Sequence, residues 1–487
     1  MKKVISLVLA LALFAGTLTL MSCAMADEEY SGAQNNASAS DTTSNKPPYY
    51  TKLPDPITFD GAKIRFALAS AHEKNLESDG YRGCYVDEDN GEMVVSAVYK
   101  RNQNVEERLN VDIDVVLCTD EKSLTKTVTP IFMAGDDDID CLWADRENDI
   151  GLCLKGYLLD LNKLDKNENY IEYDSDWWNS EYSDNIRYKD ELFWLSGPLS
   201  LTFLGGLSCV FVNRDLYDQY LLADYGDITD MVLSGQWNVA SLAKMSNDIY
   251  TKTGKTVFGS KFADKNAVMD ALIGAGLEYT KKNADGSISL DLASPSSKYL
   301  SVSSQILQLF TSVDGVGSFA EFGDGFAGGT QLFKYGKLSD GIALREMKYD
   351  CYILPTPKLG ADQAEYRSAV SSRNQLIGIP YTCQNVPAVS ATIEAMAAEA
   401  YRLVMPAYFD LISKYKFTRD DDTAMILDLI RDSAYTDFGM AWEREIFGSD
   451  WISSGKFKFD PTTLNKYSAA WAHSLKEALT MLDDLQK

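Results

Sequence analysis

Between Ile64 and Trp143 the chain carries two strand–helix alternations in succession, and no other stretch constrains the fold as strongly. Ile64, Phe66 and Leu68 share one face of a strand at period two. Val94, Ala97, Val98, Val105 and Leu109 form the apolar stripe of a helix from about Glu92 to Leu109. Val111, Ile113, Val115 and Leu117 then alternate with Asp112 and Asp114 as a second strand. Ser123 to Ala134 reads as a second helix, stopped by Gly135 and a run of aspartates, and Ile139 to Trp143 as a third strand. Strand–helix–strand–helix–strand predicts a parallel sheet with right-handed crossovers, an α/β fold. Ligands of such open sheets sit beyond the carboxyl ends of the strands.

After Trp177 the texture changes. Aromatic and small residues run to Trp194-Leu195-Ser196-Gly197-Pro198, and a strand covers Cys209 to Val212, with Asn213 or Asp215 capping the next helix. Trp237 packs the start of another helix, and Asn283 to Gly286 is a turn between short strands. Helices dominate from Ala388: Ile393 to Val404, ending at Pro406; Asp421 to Arg431; and a last one from about Thr462, striped by Leu464, Tyr467, Trp471, Leu475 and Leu479.

The amino terminus carries an address. Lys2 and Lys3 precede a largely apolar run from Val4 to Met21, and Leu20-Met21-Ser22 leads into Cys23, the pattern of a secretory signal peptide. With a cysteine directly after the cut it resembles a bacterial lipoprotein signal, residues 1–22, with Cys23 as the acylated residue. A protein so processed stays tied to the outer face of the cell membrane by its acyl chains. Residues 23–56, rich in Ser, Asn, Asp, Thr and Pro, bury too little to fold and read as a tether. The remainder is too long for one ordinary core and suits two lobes.

A formal charge of −25 disfavours nucleic acid and anionic headgroups as partners. Beyond Cys23, Cys84, Cys118, Cys141, Cys153, Cys209, Cys351 and Cys383 form no CxxC and sit mostly in apolar runs, as small core residues. With only His72 and His473, a zinc site has little to draw on. Asp136–Asp138 and Asp420–Asp422 read as solvated helix-terminal charge rather than calcium ligands. Gly323, Gly325 and Gly328 satisfy a GxGxxG pattern, but neither a preceding strand nor a βαβ unit supports a dinucleotide. No G-x-S-x-G, H-E-x-x-H or P-loop occurs, so no cofactor, metal or catalytic group is expected.

Several motifs together resemble the family 1 extracellular solute-binding proteins of bacterial ABC transporters. They are Asn102-(x)3-Glu106-Glu107, Gly135-Asp136-Asp137-Asp138-(x)-Asp140, Gly156-(x)3-Asp160-Leu161 and Asp176-Trp177-Trp178. Val212-Asn213-(x)-Asp215-Leu216, Gly235-Gln236-Trp237 and Leu354-Pro355-(x)-Pro357-Lys358 follow. The resemblance implies a two-lobed periplasmic-binding-protein-like fold of type II, its solute cleft between lobes joined by crossing hinge segments. Lobe 1 would comprise 57–190 and 330–385, lobe 2 191–329 and 386–487. The crossings would fall near Lys189–Pro198, Gly323–Thr330 and Pro380–Pro387. It also implies a monomer that captures a carbohydrate, such as an oligosaccharide, and delivers it to the permease subunits of an importer. The rival readings are a cell-surface glycoside hydrolase, which needs only two carboxylates, and a lipoprotein that binds peptides or another polymer without transport.

A pyranose needs flat apolar surfaces for its faces and carboxylates, amides or guanidinium groups for its rim. Trp143, Asp145 and Arg146 end the third strand, where ligands belong, and in maltose-binding relatives a similar Trp-Ala…Asp-Arg stretch contacts sugar. Trp177 and Trp178 approach the first crossing, and adjacent strand residues face opposite ways, so one would stack on the solute and the other pack inward. Tyr85, in the loop after the first strand, and Arg373, whose guanidinium could fork onto hydroxyl pairs, complete the expected ligand set.

Overall fold

The computed structural model describes residues 51–69, 83–165, 168–262, 265–292, 298–318, 325–413, 421–448 and 461–485. The signal peptide and Cys23 lie outside the described residues. The tether ends earlier than residue 56: Thr51 and Leu53 are buried, and Arg108 donates to Thr51 Oγ1 at 2.9 Å and to the Leu53 carbonyl at 3.5 Å.

The strand–helix alternation forms as the pattern predicts. β1 (Ala62–Ala69), α1 (Met93–Leu109), β2 (Val111–Cys118), α2 (Glu121–Ala134) and β3 (Cys141–Asp145) succeed one another, and β1 pairs in parallel with both β2 and β3. Local chemistry sets the joints. Asn110 takes the left-handed conformation, φ 48°, and turns α1 into β2. Asp120 caps α2 by accepting the Ser123 N–H at 2.6 Å. Asp140, buried, accepts the Arg65 backbone N–H at 2.8 Å and Nε at 2.7 Å, fixing the start of β3 against β1. The Asn102–Glu106 motif is also structural: Asn102 Nδ2 donates to the Cys84 carbonyl at 3.1 Å, and Glu106 Oε1 accepts the Ile113 N–H at 3.0 Å. α3 (Arg146–Cys153) follows β3, and α4 (Ser180–Ile186) comes later on the same side of the chain's first passage.

A second sheet holds β4 (Ser208–Asn213), β5 (Phe258–Phe262), β8 (Val316–Ser318), β9 (Gln331–Lys337) and β10 (Cys351–Pro355) in the order β10-β4-β9-β5-β8. β6 (Thr280–Lys282) and β7 (Ile288–Leu290) form a separate hairpin around the expected turn. β11 (Ser368–Ala369) pairs in parallel with β13 (Ala434–Tyr435), and β12 (Gln375–Gly378) joins the first sheet antiparallel to β3. Three more helices matter below: α5 (Val386–Glu399), α6 (Asp421–Asp432) and α7 (Phe438–Ala441). No helix of the described residues is long and apolar enough to cross a membrane.

This pairing corrects the expected division of the chain. β9 and β10 flank β4, so 331–355 belongs with the second sheet rather than with lobe 1. The described part of Gly323–Thr330 joins β8 to β9 within one sheet and is not a crossing. α5 packs on α1 and β1, so the chain does not leave the first sheet at Pro380–Pro387. The passages fall elsewhere. Leu195 still exchanges backbone hydrogen bonds with Ile377 of β12, and the outward passage runs from there to β4. The return lies between β10 and β12. The two runs meet antiparallel, Leu207 opposite Val370, with the Ser371 N–H donating to the Gly206 carbonyl at 3.0 Å. Residue 206 must be glycine here, because a Cβ would stand 2.5 Å from the Thr202 carbonyl oxygen and 3.0 Å from Ser371 Cβ.

Pro406 does not end a helix. The chain widens into a π turn over Ala400–Val404 and continues as helix through Met405–Ser413, the wider turn accommodating the residue that lacks an N–H.

Candidate functional site

The carboxyl ends of strands from both sheets converge on the paired passages. At the end of β3, Asp145 lies opposite Gln375, the Arg146 N–H donates to the Asn374 carbonyl at 3.0 Å, and the Asn374 N–H donates to Ser371 at 3.0 Å. At the end of β9, Lys337 lies opposite Ser208; its Nζ reaches Asp270 Oδ1 at 2.8 Å and the Ala369 carbonyl at 3.4 Å, while Ser208 Oγ accepts the Ala369 N–H at 2.7 Å. Strand ends that meet at a change of sheet form the crevice where α/β proteins bind ligands.

On the β3 side this crevice is acidic. Asp145 caps α3, its Oδ1 accepting the Asn148 N–H at 3.0 Å and Asn148 Nδ2 at 2.8 Å. The same Nδ2 lies 3.5 Å from Glu121 Oε2, and Asn148 Oδ1 accepts from Thr125 at 2.9 Å. Asp149, one turn beyond Asp145, is wholly buried; no donor meets its carboxylate oxygens in good geometry, and only the Ala144 backbone N–H acts on it. Burial, reinforced by Asp145, pushes Glu121 up to about 8; burial raises Asp145 too, although hydrogen bonds from Asn148 and the charges of Arg146 and Arg373 oppose it. Asp149 lies well above the carboxylate range through burial and the charges of Glu121 and Asp145. Among the described residues no group of His, Cys, Asp and Glu has the arrangement of a metal site.

The other expected ligand residues divide by environment. Arg373 is exposed beside the crossing, its backbone N–H donating to Ser371 Oγ at 3.3 Å. Arg146 is buried behind the strand end, Nη1 donating to Tyr182 Oη and Thr436 Oγ1, both at 3.3 Å. Trp143 offers no free face: at 0% exposure it sits edge-on to Phe66, centroids 6.1 Å apart, with Nε1 donating to Gln375 Oε1 at 3.1 Å. The expectation that one of Trp177 and Trp178 faces outward is corrected too. Both are buried because both indoles donate to one carboxylate, Glu394, at 2.8 and 2.9 Å. Tyr85 is half-buried among Asp87, Glu106, Asp112 and Asp114, toward the amino half of β2 and away from the strand ends. Glu121, Asn148 and Asp149 were not anticipated; the signal was an acid directly after the Asp120 cap and the four-residue spacing of Asp145 and Asp149.

A cavity of about 640 Å3 lies on another side of the crossing, lined by Glu181 and Asn185 of α4, Glu278, Arg367, Tyr435 and Asp437 among others. Arg367 stacks 4.0 Å above the Tyr435 ring and pairs with Glu278 at 2.7 Å. Asp437 accepts from the Tyr279 N–H, Thr280 Oγ1 and the Met440 N–H at 2.7 to 3.0 Å, and burial pushes it up to about 6. None of the residues expected from sequence lines this cavity. The seven described cysteines are all free, and all are buried, burial being what their apolar settings predicted.

No family model matches the chain, and no curated protein matches its sequence. Solved structures do match. A family 1 extracellular solute-binding protein from Bifidobacterium longum subsp. infantis is 13% identical over 87% of this chain and 100% of its own, with a TM-score of 0.50. A sugar transporter from Rhizobium etli, solved in an open conformation, is 14% identical over 85% of this chain and 99% of its own, with a TM-score of 0.51. At these identities the likeness is one of architecture: this chain has the α/β fold of the extracellular solute-binding proteins.

Proposed function

We propose that this protein is a lipid-anchored solute-binding protein on the outer face of a bacterial cell membrane, which captures a carbohydrate and hands it to an ABC importer. The observation that carries this reading is the convergence of β3 and β9 on the antiparallel passages at Leu207 and Val370. Two sheets joined by so narrow a ladder can close on a solute held at their strand ends, and the solute favours the closed form by the contacts it gains there. On this reading the lobes are built on the first sheet with α5 and on the second sheet. Asp145, Arg373 and Glu121 supply polar groups for the hydroxyl rim. The lipoprotein-like start at Cys23 supports the anchor, and the matched structures support a binding role over hydrolysis.

The cavity beside Tyr435 favours a second location for the solute, because its volume suits a small oligosaccharide. A thermal-shift screen against a glycan library, followed by calorimetry, tests both. Asp145→Ala should weaken the best ligand about tenfold or more, with Tyr435→Ala near wild type; the reverse order moves the site to the cavity. Absence of any shift across the library, or products released from an oligosaccharide, rejects the binding function.

A further inference from the structure

We propose that Gln375 is a specificity-determining residue of the solute site, and that it and Asp145 read two neighbouring hydroxyls of one sugar ring. The inference rests on the solute-binding reading and names the group recognised. Gln375 opens β12 on the last rung of its ladder with β3, directly opposite Asp145. Opposed residues of an antiparallel pair project from the same face, and Trp143, two residues back along β3, shares it. The amide is fixed from one side only. Its Oε1 accepts the Trp143 indole N–H at 3.1 Å and lies 3.5 Å from Thr202 Oγ1, while the Gln375 backbone N–H donates to Thr202 Oγ1 at 2.9 Å. An indole nitrogen can only donate, so the amide oxygen must face Trp143 and the nitrogen must turn the other way.

That nitrogen, Nε2, meets no acceptor among the described residues, although Gln375 is only 3% exposed. Two other donors at this strand end, Asn374 Nδ2 and Arg146 Nε, also lack partners but are sealed from solvent; Gln375 Nε2 is open to it. A buried side chain held by its oxygen, with its nitrogen unsatisfied at the crevice, is a preorganised donor. Across the rung, Asp145 spends Oδ1 on the two Asn148 donors, and its Oδ2 takes none among the described residues. One open donor beside one open acceptor matches a vicinal diol: one hydroxyl gives its proton to Asp145, and the oxygen of the next accepts from Gln375. Either group alone reads a single hydroxyl, and together they read adjacency.

Maltotriose, cellotriose, xylotriose and mannotriose present such pairs on different frames, and calorimetry ranks them. Gln375→Met should weaken the tightest of the four about tenfold. Among the monodeoxy derivatives of that trisaccharide, one should bind the native protein about tenfold weaker and lose nothing further in Gln375→Met. The others should keep most of the penalty, whereas a change in packing alone would penalise every derivative alike. Should Gln375→Met not fold, Gln375→Glu at pH 8 keeps the oxygen that Trp143 needs and should give the same pattern. Unaltered affinity, or a penalty equal for every derivative, overturns the inference while solute binding stands. Binding that ignores Asp145→Ala as well moves the solute to the cavity and has the same consequence. Failure of all four trisaccharides to bind overturns it too, and the solute-binding reading falls with it only if the wider glycan library also gives nothing.

Discussion

Glu394 and Asp149 are equally buried and lead opposite lives. Glu394, on α5, accepts the indole N–H groups of Trp177 and Trp178 and the Glu172 backbone N–H at 3.1 Å. Asp149, at the crossing, has only the nearby Ala144 backbone N–H acting on it, outside good hydrogen-bond geometry. The first carboxyl is saturated with donors and ties residues 172–178 to the helix. The second is held beside two further acids with its demand unmet. A buried acid with a full set of donors serves the fold, whereas one without them costs stability and is retained for something else.

Removing Glu394 gives the largest expected effect. Glu394→Ala strands two indole donors and an amide, and should lower stability by about 3–5 kcal/mol in urea titration. A loss below about 1 kcal/mol would break the contrast. A pH series comes next. Glu394 is pushed up to about 7, chiefly by burial, as Asp437 is to about 6 and Glu121 to about 8. All three lie above the ordinary unfolded values near 4, so between those limits the folded chain binds more protons than the unfolded one. Stability should therefore fall by a few kcal/mol as pH rises from about 4.5 to 8. The acids with lowered values, such as Asp89 and Asp248, act below this window. Denaturant midpoints that climb over the same range would contradict the assignment. Asp149→Asn should have the smallest effect, neutral or stabilising by up to about 1 kcal/mol. A loss above about 2 kcal/mol would mean that its oxygens are supplied after all.

Sequence reading served best where partners are close along the chain. β1 pairs with β2 across one helix and with β3 across two, so the alternation of strands and helices sufficed. It failed for β9, β10 and α5, which choose between two sheets by contacts more than a hundred residues away, while β12 joins the first sheet as expected. The same limit governed the site. The place of Asp145 was legible because a strand end has a direction, and that of Arg373 because it precedes the returning strand; their ligand role is part of the proposal. Trp143, Trp177 and Trp178 were not, since nothing local reveals that Gln375 and Glu394 wait to receive their indoles. Tyr85 was misplaced because its loop turns toward the amino half of β2.

The buried thiols have a practical corollary. Cys84 and Cys383 are both pushed up to about 12 by burial, so at neutral pH on the order of one molecule in a hundred thousand exposes a nucleophilic sulfur at either position. Maleimide chemistry would pass over these two thiols, and a pair of cysteines introduced on the outer faces of the two sheets would carry donor and acceptor dyes. Energy transfer between them would then record, molecule by molecule, whether the two halves move relative to one another when a sugar is added.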